Sequence, residues 1–327
     1  VRDVPSRGGV LIGFHEKKSS YVADLDECSV LPAQVSVLLP ALKALVESLS
    51  IRNRMPQIEV AVGDCQQPPR HPLALVFRTL LPLTGKDRNR LIAFGREHGA
   101  EIWQQPGGPD TARLLSDAQG RTDGTSALAY ELPEVGIRIP FGPTDFTQVN
   151  AGINRQLLSR AVQMLDPRPE HRVVDLFCGL GNFTLPLATR ARQVIGVEGV
   201  KALVERGRQN ALANRHALLA PPGKDGVQFR VANLFEFDLA AWQALGRVDR
   251  LLIDPPRDGA LAVARVLAAL PPEQRPARMV YVSCNPATLA RDLGLMVNEG
   301  KWRVRMAGVA NMFPHTAHVE SIALLEA

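Results

Sequence analysis

The chain is poor in cysteine, with four in 327 residues, at positions 28, 65, 178 and 284. None lies in a C-x-x-C pair, which excludes a structural zinc site of that spacing, and so few thiols cannot build a dense disulfide framework. Each is therefore read as a reduced thiol with its own role. Long apolar runs are also missing. No stretch approaches the roughly 20 residues that span a bilayer, and the opening VRDVPSRGGV lacks the apolar centre of a signal peptide. A soluble cytoplasmic protein is expected. No repeat or low-complexity tract stands out, and the charge is close to balanced. The 38 Lys and Arg against 33 Asp and Glu leave +5, a mild basic bias that permits a nucleic-acid partner without requiring one. The chain opens on Val1 rather than on a methionine, and an upstream portion is expected to precede it.

What the sequence does have is length and apolar residues. At 327 residues and 46% hydrophobic, it is long enough for two domains. From about 9 to 140, the short apolar runs VLIGF, IEVAV and LALVF mix with helical patterns at 34–49 and 86–98. That mixture predicts a smaller N-terminal α+β domain. Beyond 150 the rhythm becomes regular: a helix from Ala151 to Leu165, RVVDLFC, a helix after Gly181, QVIGVE, a helix to about Asn214, VQFRVA, a short helix, and VDRLLID. Strands alternating with helices imply right-handed crossovers and a parallel sheet. MVYVS and its helix follow, then two further candidate strands, WRVRMAGVA and HVESIALLE. The boundary is expected near 140–150, dividing the chain into 1–145 and 146–327.

VVDLFCGLGNFT, at 173–184, places Asp175 at a strand end and Gly179 and Gly181 before a helix. Ligands of open parallel sheets settle outside the carboxyl ends of the strands, and glycine lets the backbone approach them. A nucleotide-like ligand follows. The dinucleotide pattern G-x-G-x-x-G would need a third glycine at 184, where this chain has Thr184. The short G-x-G followed by Asn182 better suits a ligand without pyrophosphate, such as S-adenosylmethionine. Glu198, ending the next strand, is placed to accept from two ribose hydroxyls, a role it could equally fill for NAD. Asn233, after the third strand, is placed to meet an adenine edge. Cys178, inside the glycine loop, is read as structural.

The fourth strand runs into IDPPRDG. Asp254-Pro255-Pro256 resembles the motif of amino-group methyltransferases, but the aromatic residue that would stack on a flipped base is replaced by Arg257. Cys284, in YVSCNPATL, falls between a buried strand and a Pro-initiated helix, where catalytic side chains tend to be displayed. A thiolate adding to C6 of a uracil would make C5 an enolate carbon able to take a methyl group from a sulfonium. A base must then remove the C5 proton. Glu320 in HTAHVE is the candidate, with His318 as a weaker alternative.

FTQVN, DLFCGLGNFTLPLA, DPPRDG, SCNPATLARDL and MFPHTAHVE occur in that order. Together they resemble the RNA uracil-5-methyltransferase family, especially its bacterial 23S rRNA group, over about 9–327 and most densely from 146 onward. The resemblance implies an α/β class I methyltransferase domain, Rossmann-like, with a parallel sheet carrying a C-terminal antiparallel strand. It implies S-adenosyl-L-methionine as donor and a uridine of 23S rRNA as acceptor. The family's donor contacts fall on Gln148, Phe177, Asn182, Glu198, Asn233 and Asp254, its nucleophile on Cys284 and its proton acceptor on Glu320. Asp254 is also suited to accept from uracil N3–H. Phe146 either stacks on the extruded base or packs the domain junction.

Three other readings stay open: a tRNA uracil-5-methyltransferase, a cytosine-5 RNA methyltransferase, and a nonenzymatic RNA-binding module. The cytosine enzymes place a cysteine after the fourth strand, where DPPR has none. GFHEKKSSYVADLDECSVLP resembles the segment carrying the last ligand of a four-cysteine iron–sulfur site, which would be Cys28. Its three companions and a small RNA-binding β-barrel belong further upstream in the family. A [4Fe–4S] cluster is thus expected in the full-length protein and cannot be completed by this chain alone. The alternative makes Cys28 an ordinary core cysteine. No membrane partner is expected, and a monomer is favoured.

Overall fold

The structure, a computed structural model, describes residues 1–16, 18, 19 and 21–327. They form two compact units, one of residues 1–130 and 140–145, the other of residues 131–139 and 146–327.

The first unit is built on a four-stranded sheet in the order β1 (Gln57–Val62), β2 (Leu73–Arg78), β3 (Ala100–Gln105), β4 (Arg113–Ser116). Only β2 and β3 run parallel. Leu73, Leu75 and Phe77 of β2 pack in one core with Ile102 and Leu115, and with Leu42, Leu45 and Val46 of helix α1 (Leu39–Ser48). The pattern at 34–49 predicts one helix, yet the chain forms a short turn over Ala33–Ser36 and then α1. The cause is Pro40, whose ring cannot share a continuous helix with the carbonyl of Ser36 and which is tolerated only in a first turn. Helix α2 (Gly85–His98) starts at a capping box in which the Asp87 N–H donates to Thr84 Oγ1 (3.1 Å) and the Thr84 N–H to Asp87 Oδ2 (3.3 Å).

The second unit is an α/β layer structure, as expected. Helix α3 (Ala151–Leu165) is capped by Asn150, whose Oδ1 accepts from the Ile153 N–H at 3.2 Å. After it come β5 (Arg172–Leu176), α4 (Thr184–Ala188), β6 (Gln193–Glu198), α5 (Lys201–Ala213), β7 (Val227–Val231), α6 (Leu239–Leu245), β8 (Arg250–Ile253), α7 (Leu261–Ala269), β9 (Arg278–Ser283), α8 (Pro286–Asn298), β10 (Arg303–Ala310) and β11 (Glu320–Glu326). The sheet order is β7–β6–β5–β8–β9–β11–β10. Five strands are parallel, and β11 runs antiparallel to both β9 and β10. The β-branched and leucine-rich strands bury Val174, Leu176, Ile195, Val197, Leu251, Ile253, Met279 and Tyr281 in one cluster with α7 and Trp302, as parallel strands covered on both faces require. No helix among the described residues is long and apolar enough to cross a membrane.

Candidate active site

Strand β5 lies between β6 and β8, so connections leave it in opposite directions, and the ligand crevice of a sheet wound this way lies outside the carboxyl ends of the strands at that switch point. The glycine loop follows β5. Phe177, at φ +64°, and Cys178 both donate their N–H groups to Val197 O, at 2.9 and 3.1 Å. A left-handed phenylalanine is rare and marks a backbone held by its surroundings. Glu198 clamps the loop from β6: its Oε2 accepts from the Gly179 N–H (3.1 Å) and its Oε1 from the Val200 N–H (3.0 Å). Gly181 turns at φ +102°, where a Cβ would stand 3.2 Å from the Phe229 ring. Asn182 is paired in both directions with the buried amide of Asn154, at 3.1 and 3.2 Å.

Carboxylates gather under this loop. Asp175 is fully buried. Its Oδ2 accepts from Thr184 Oγ1 at 2.6 Å, while its Oδ1 has no partner among the described residues. Burial pushes Asp175 up to about 8, the Asp254 and Glu198 charges add to this, and the Thr184 hydroxyl opposes it. Burial likewise raises Asp254 to about 7. The Asp254 N–H donates to Leu176 O at 3.2 Å, tying β8 to β5 at the crevice floor. Gln148 Oε1 is buried with no hydrogen-bond partner among the described residues. An acceptor left unpaired costs free energy that a donor-rich ligand would recover.

The antiparallel course of β11 brings the C-terminal segment to the same edge. Ser283 pairs with Ser321, so Cys284 and Glu320 are the next residues outward on the two strands. Cys284 is half-buried and a free thiol. Burial raises its pKa, the Glu320 and Asp254 charges raise it further, and Arg257 opposes them. Glu320 is only 2% exposed. Burial, aided by Asp254, pushes it up to about 8. A titratable pair displaced in this way beside an accessible thiol has the character of a catalytic site.

Two aromatic rings of this unit are open to solvent. Phe146 is 72% exposed and Phe235 54% exposed. Phe235 meets Phe177 edge-on, with centroids 5.7 Å apart. Asn233 caps the short helical turn over Leu234–Glu236, its Oδ1 accepting from the Phe235 N–H at 3.1 Å. His318 is exposed, its ring edge-on to Phe313 at 6.3 Å.

A sequence profile described as tRNA (Uracil-5-)-methyltransferase matches residues 138–327. The 23S rRNA (uracil(1939)-C(5))-methyltransferase RlmD of Bordetella bronchiseptica is 55% identical over 326 residues, covering 100% of this chain and 66% of that protein. The enzyme of the same name from Aromatoleum aromaticum is 54% identical over 327 residues, covering 100% of this chain and 70% of its own length. The chain belongs to the tRNA (Uracil-5-)-methyltransferase family. It spans about two thirds of the length of these relatives, 66% and 70%. The fold is also that of a Pyrococcus abyssi tRNA (uracil-54, C5)-methyltransferase solved with S-adenosyl-L-homocysteine. That structure superposes with a TM-score of 0.68 at 22% identity, covering 94% of this chain and 71% of its own.

Within this family member, the second unit holds Phe146, Gln148, Phe177, Asn182, Glu198, Asn233, Asp254, Cys284 and Glu320. Sequence reasoning passed over Phe235, Asn154 and Asp292. Phe235 carried one signal, an aromatic residue two places after the strand-end Asn233. The other two are buried partners whose roles emerge only on folding. Cys178 is buried, and its thiol pKa is raised well above the usual value by that burial, which matches an inert structural thiol. Cys28 lies in the first unit, half-buried against its core, its N–H donating to Ser36 Oγ at 2.8 Å. Among the described residues, no three or more His, Cys, Asp or Glu side chains are grouped to hold a metal ion. The thiolates present therefore do not fit a [4Fe–4S] cluster within this chain alone.

Proposed function

We propose that this chain carries the catalytic part of an RNA uracil-5-methyltransferase that converts a uridine of 23S rRNA to 5-methyluridine. The observation that carries the reading is the placement of half-exposed Cys284 and buried Glu320 side by side at the carboxyl edge of the sheet. A nonenzymatic RNA-binding module would have no use for that pair.

S-adenosyl-L-methionine, the second substrate, supplies a methyl group activated by its sulfonium. The crevice suits it. The unpaired Gln148 Oε1 can accept from its ammonium, Glu198 retains lone pairs for ribose hydroxyls, and Phe177, Asn182, Asn233 and Asp254 complete the set. On the RNA side, Phe146 stacks on the extruded base, and Asp254 accepts from uracil N3–H. The Cys284 thiolate forms a bond to C6, and the electron pair of the C5–C6 double bond moves toward the C4 oxygen. The enolate pair then forms the bond from C5 to the methyl carbon as the methyl–sulfonium bond breaks, its pair staying on sulfur, and S-adenosyl-L-homocysteine is left. Glu320 removes the C5 proton, the C5–C6 double bond re-forms, and the C6–sulfur bond breaks with the pair returning to Cys284.

The 55% identity to relatives named for 23S rRNA favours that acceptor, while the family profile is named for tRNA. Transfer of radiolabelled methyl to 23S rRNA and to tRNA, side by side, separates the two. Label in 23S rRNA is expected, label confined to tRNA moves the target, and a blank with the full-length protein removes the enzyme. Base analysis that found 5-methylcytidine would replace uracil by cytosine. The full-length protein is further proposed to be cytoplasmic and monomeric and to hold a [4Fe–4S] cluster with Cys28 as one ligand. Iron and sulfide analysis beside Cys28→Ser tests the cluster, and absence of both elements from the wild type excludes it.

A further inference from the structure

The loop after β8 and the opening turns of α8 are joined at four points. Asn285 Nδ2 and Thr288 Oγ1 both donate to Arg257 O, at 3.0 and 3.2 Å. Arg291 Nη2 donates to Asp258 O at 2.8 Å, and the Ala260 N–H donates to Asp292 Oδ2 at 2.7 Å. Asp292 is the centre of the arrangement. It is fully buried. Its Oδ2 also accepts from the Tyr281 hydroxyl at 2.7 Å, and its Oδ1 accepts from Arg291 Nε at 2.8 Å. The fit is close: Gly259 turns at φ +76°, and a Cβ there would fall 2.7 Å from both Asp292 Oδ2 and Arg291 Nη2. A carboxylate removed from water is tolerated only when paired and hydrogen-bonded, as this one is.

Asp292 reaches both halves of the proposed chemistry. Tyr281 lies on β9, three residues before Cys284, and pairs in register with Ile253 of β8, which immediately precedes Asp254. Ala260 closes the loop that Asp254 opens. One carboxylate thus grips the strand that leads to the thiol, the far end of the Asp254 loop and, through Arg291, the middle of that loop. We infer that Asp292 is a positioning residue that locks the Asp254 loop to the Cys284 strand and helix, so that the nucleophile and the base-reading carboxylate meet the uracil as one rigid body. The inference rests on the reading given under Proposed function. Asp292 itself touches no substrate.

The test uses the full-length protein, S-adenosyl-L-methionine, and target RNA with or without 5-fluorouridine, which traps the Cys–C6 adduct because fluorine cannot leave as a proton. Misplacement of reacting groups by about 1 Å costs about 100-fold in rate, so Asp292→Ala is expected to slow adduct formation by about that factor. RNA KM and donor Kd should stay within about threefold of wild type, since the groups that bind are intact. Asp292→Asn should fall between Asp292→Ala and wild type, because one amide oxygen still accepts from Ala260 and Tyr281 while the Arg291 contact is lost. Should Asp292→Ala fail to fold, Asp292→Asn and the surface change Arg291→Leu carry the test, each with slowed adduct formation and unchanged donor Kd. Wild-type adduct rates per folded molecule in the folded variants, even with lowered melting temperatures, would overturn the positioning role. A wild-type protein that forms no adduct at all overturns the function reading instead, and this inference with it.

Discussion

Cys284 and Glu320 lie one step beyond a register pair, Ser283 with Ser321, on two antiparallel strands at the carboxyl edge of the sheet. The strand carrying Glu320 must run against its neighbours for this to happen. In a parallel arrangement its first residue would sit at the opposite edge, a full strand length from the thiol.

The two residues therefore separate under mutation. Cys284→Ala should abolish methyl transfer and leave donor affinity within about twofold of wild type, since the thiol acts only on the base. Glu320→Gln should permit methyl transfer yet stall elimination, so that a labelled protein–RNA adduct survives denaturing electrophoresis. His318→Ala should release product normally. An active Cys284→Ala enzyme would defeat the covalent scheme.

Glu320 also sets a pH dependence. Its folded pKa of about 8 lies above the ordinary 4.5, so the folded state holds a proton that the unfolded chain has released. Stability tied to that proton is full below pH 4.5 and is lost as pH rises toward 8. Glu320→Gln, which cannot ionise, should be more stable than wild type by a few kcal/mol at pH 8 and little different from it at pH 4.5. Catalysis runs the other way at elimination, because the base must be ionised there: the rate at which the methylated adduct resolves should climb about tenfold per pH unit below pH 8. Denaturant melts and pH–rate profiles of the two proteins check both slopes.

Phe146 is 72% exposed, as a ring offered to an extruded base would be. Phe146→Ala should change unfolding free energy by less than about 0.5 kcal/mol. It should lower kcat/KM for RNA by about 10- to 100-fold, the worth of one base stack of about 1–3 kcal/mol. A large fall in stability with unaltered RNA kinetics would return the ring to the fold.

Gln148→Leu removes a buried acceptor that has no hydrogen-bond partner among the described residues. Without ligand the variant should be at least as stable as wild type, whereas donor affinity should fall by about tenfold, the worth of one hydrogen bond to a charged group. Calorimetric titration and thermal melts distinguish this from ordinary core damage, which would lower both.

Much of this site was legible in the linear sequence because its residues occupy strand ends, and strand ends are announced by local pattern: an apolar run, then Asp175, Glu198, Asn233, Asp254 or Cys284, then a turn or helix start. The same locality reveals the glycine loop, where Thr184 in place of a third glycine argues against pyrophosphate. Local pattern failed at 34–49, where the apolar period hid the break imposed by Pro40. It also missed strand β3, whose AEIWQQ becomes a strand through its parallel pairing with β2.

By itself, then, the sequence determined the alternating elements, the order of the motifs and the candidate reactive groups, because these depend on neighbours in the chain. Only the tertiary structure decided the register of β11 against β9 that sets Glu320 beside Cys284, the burial that raises Glu320 and Asp254, and the grip of Asp292 on both loops. Those depend on which distant segments meet and on how much water they exclude, and no spacing along the chain encodes either.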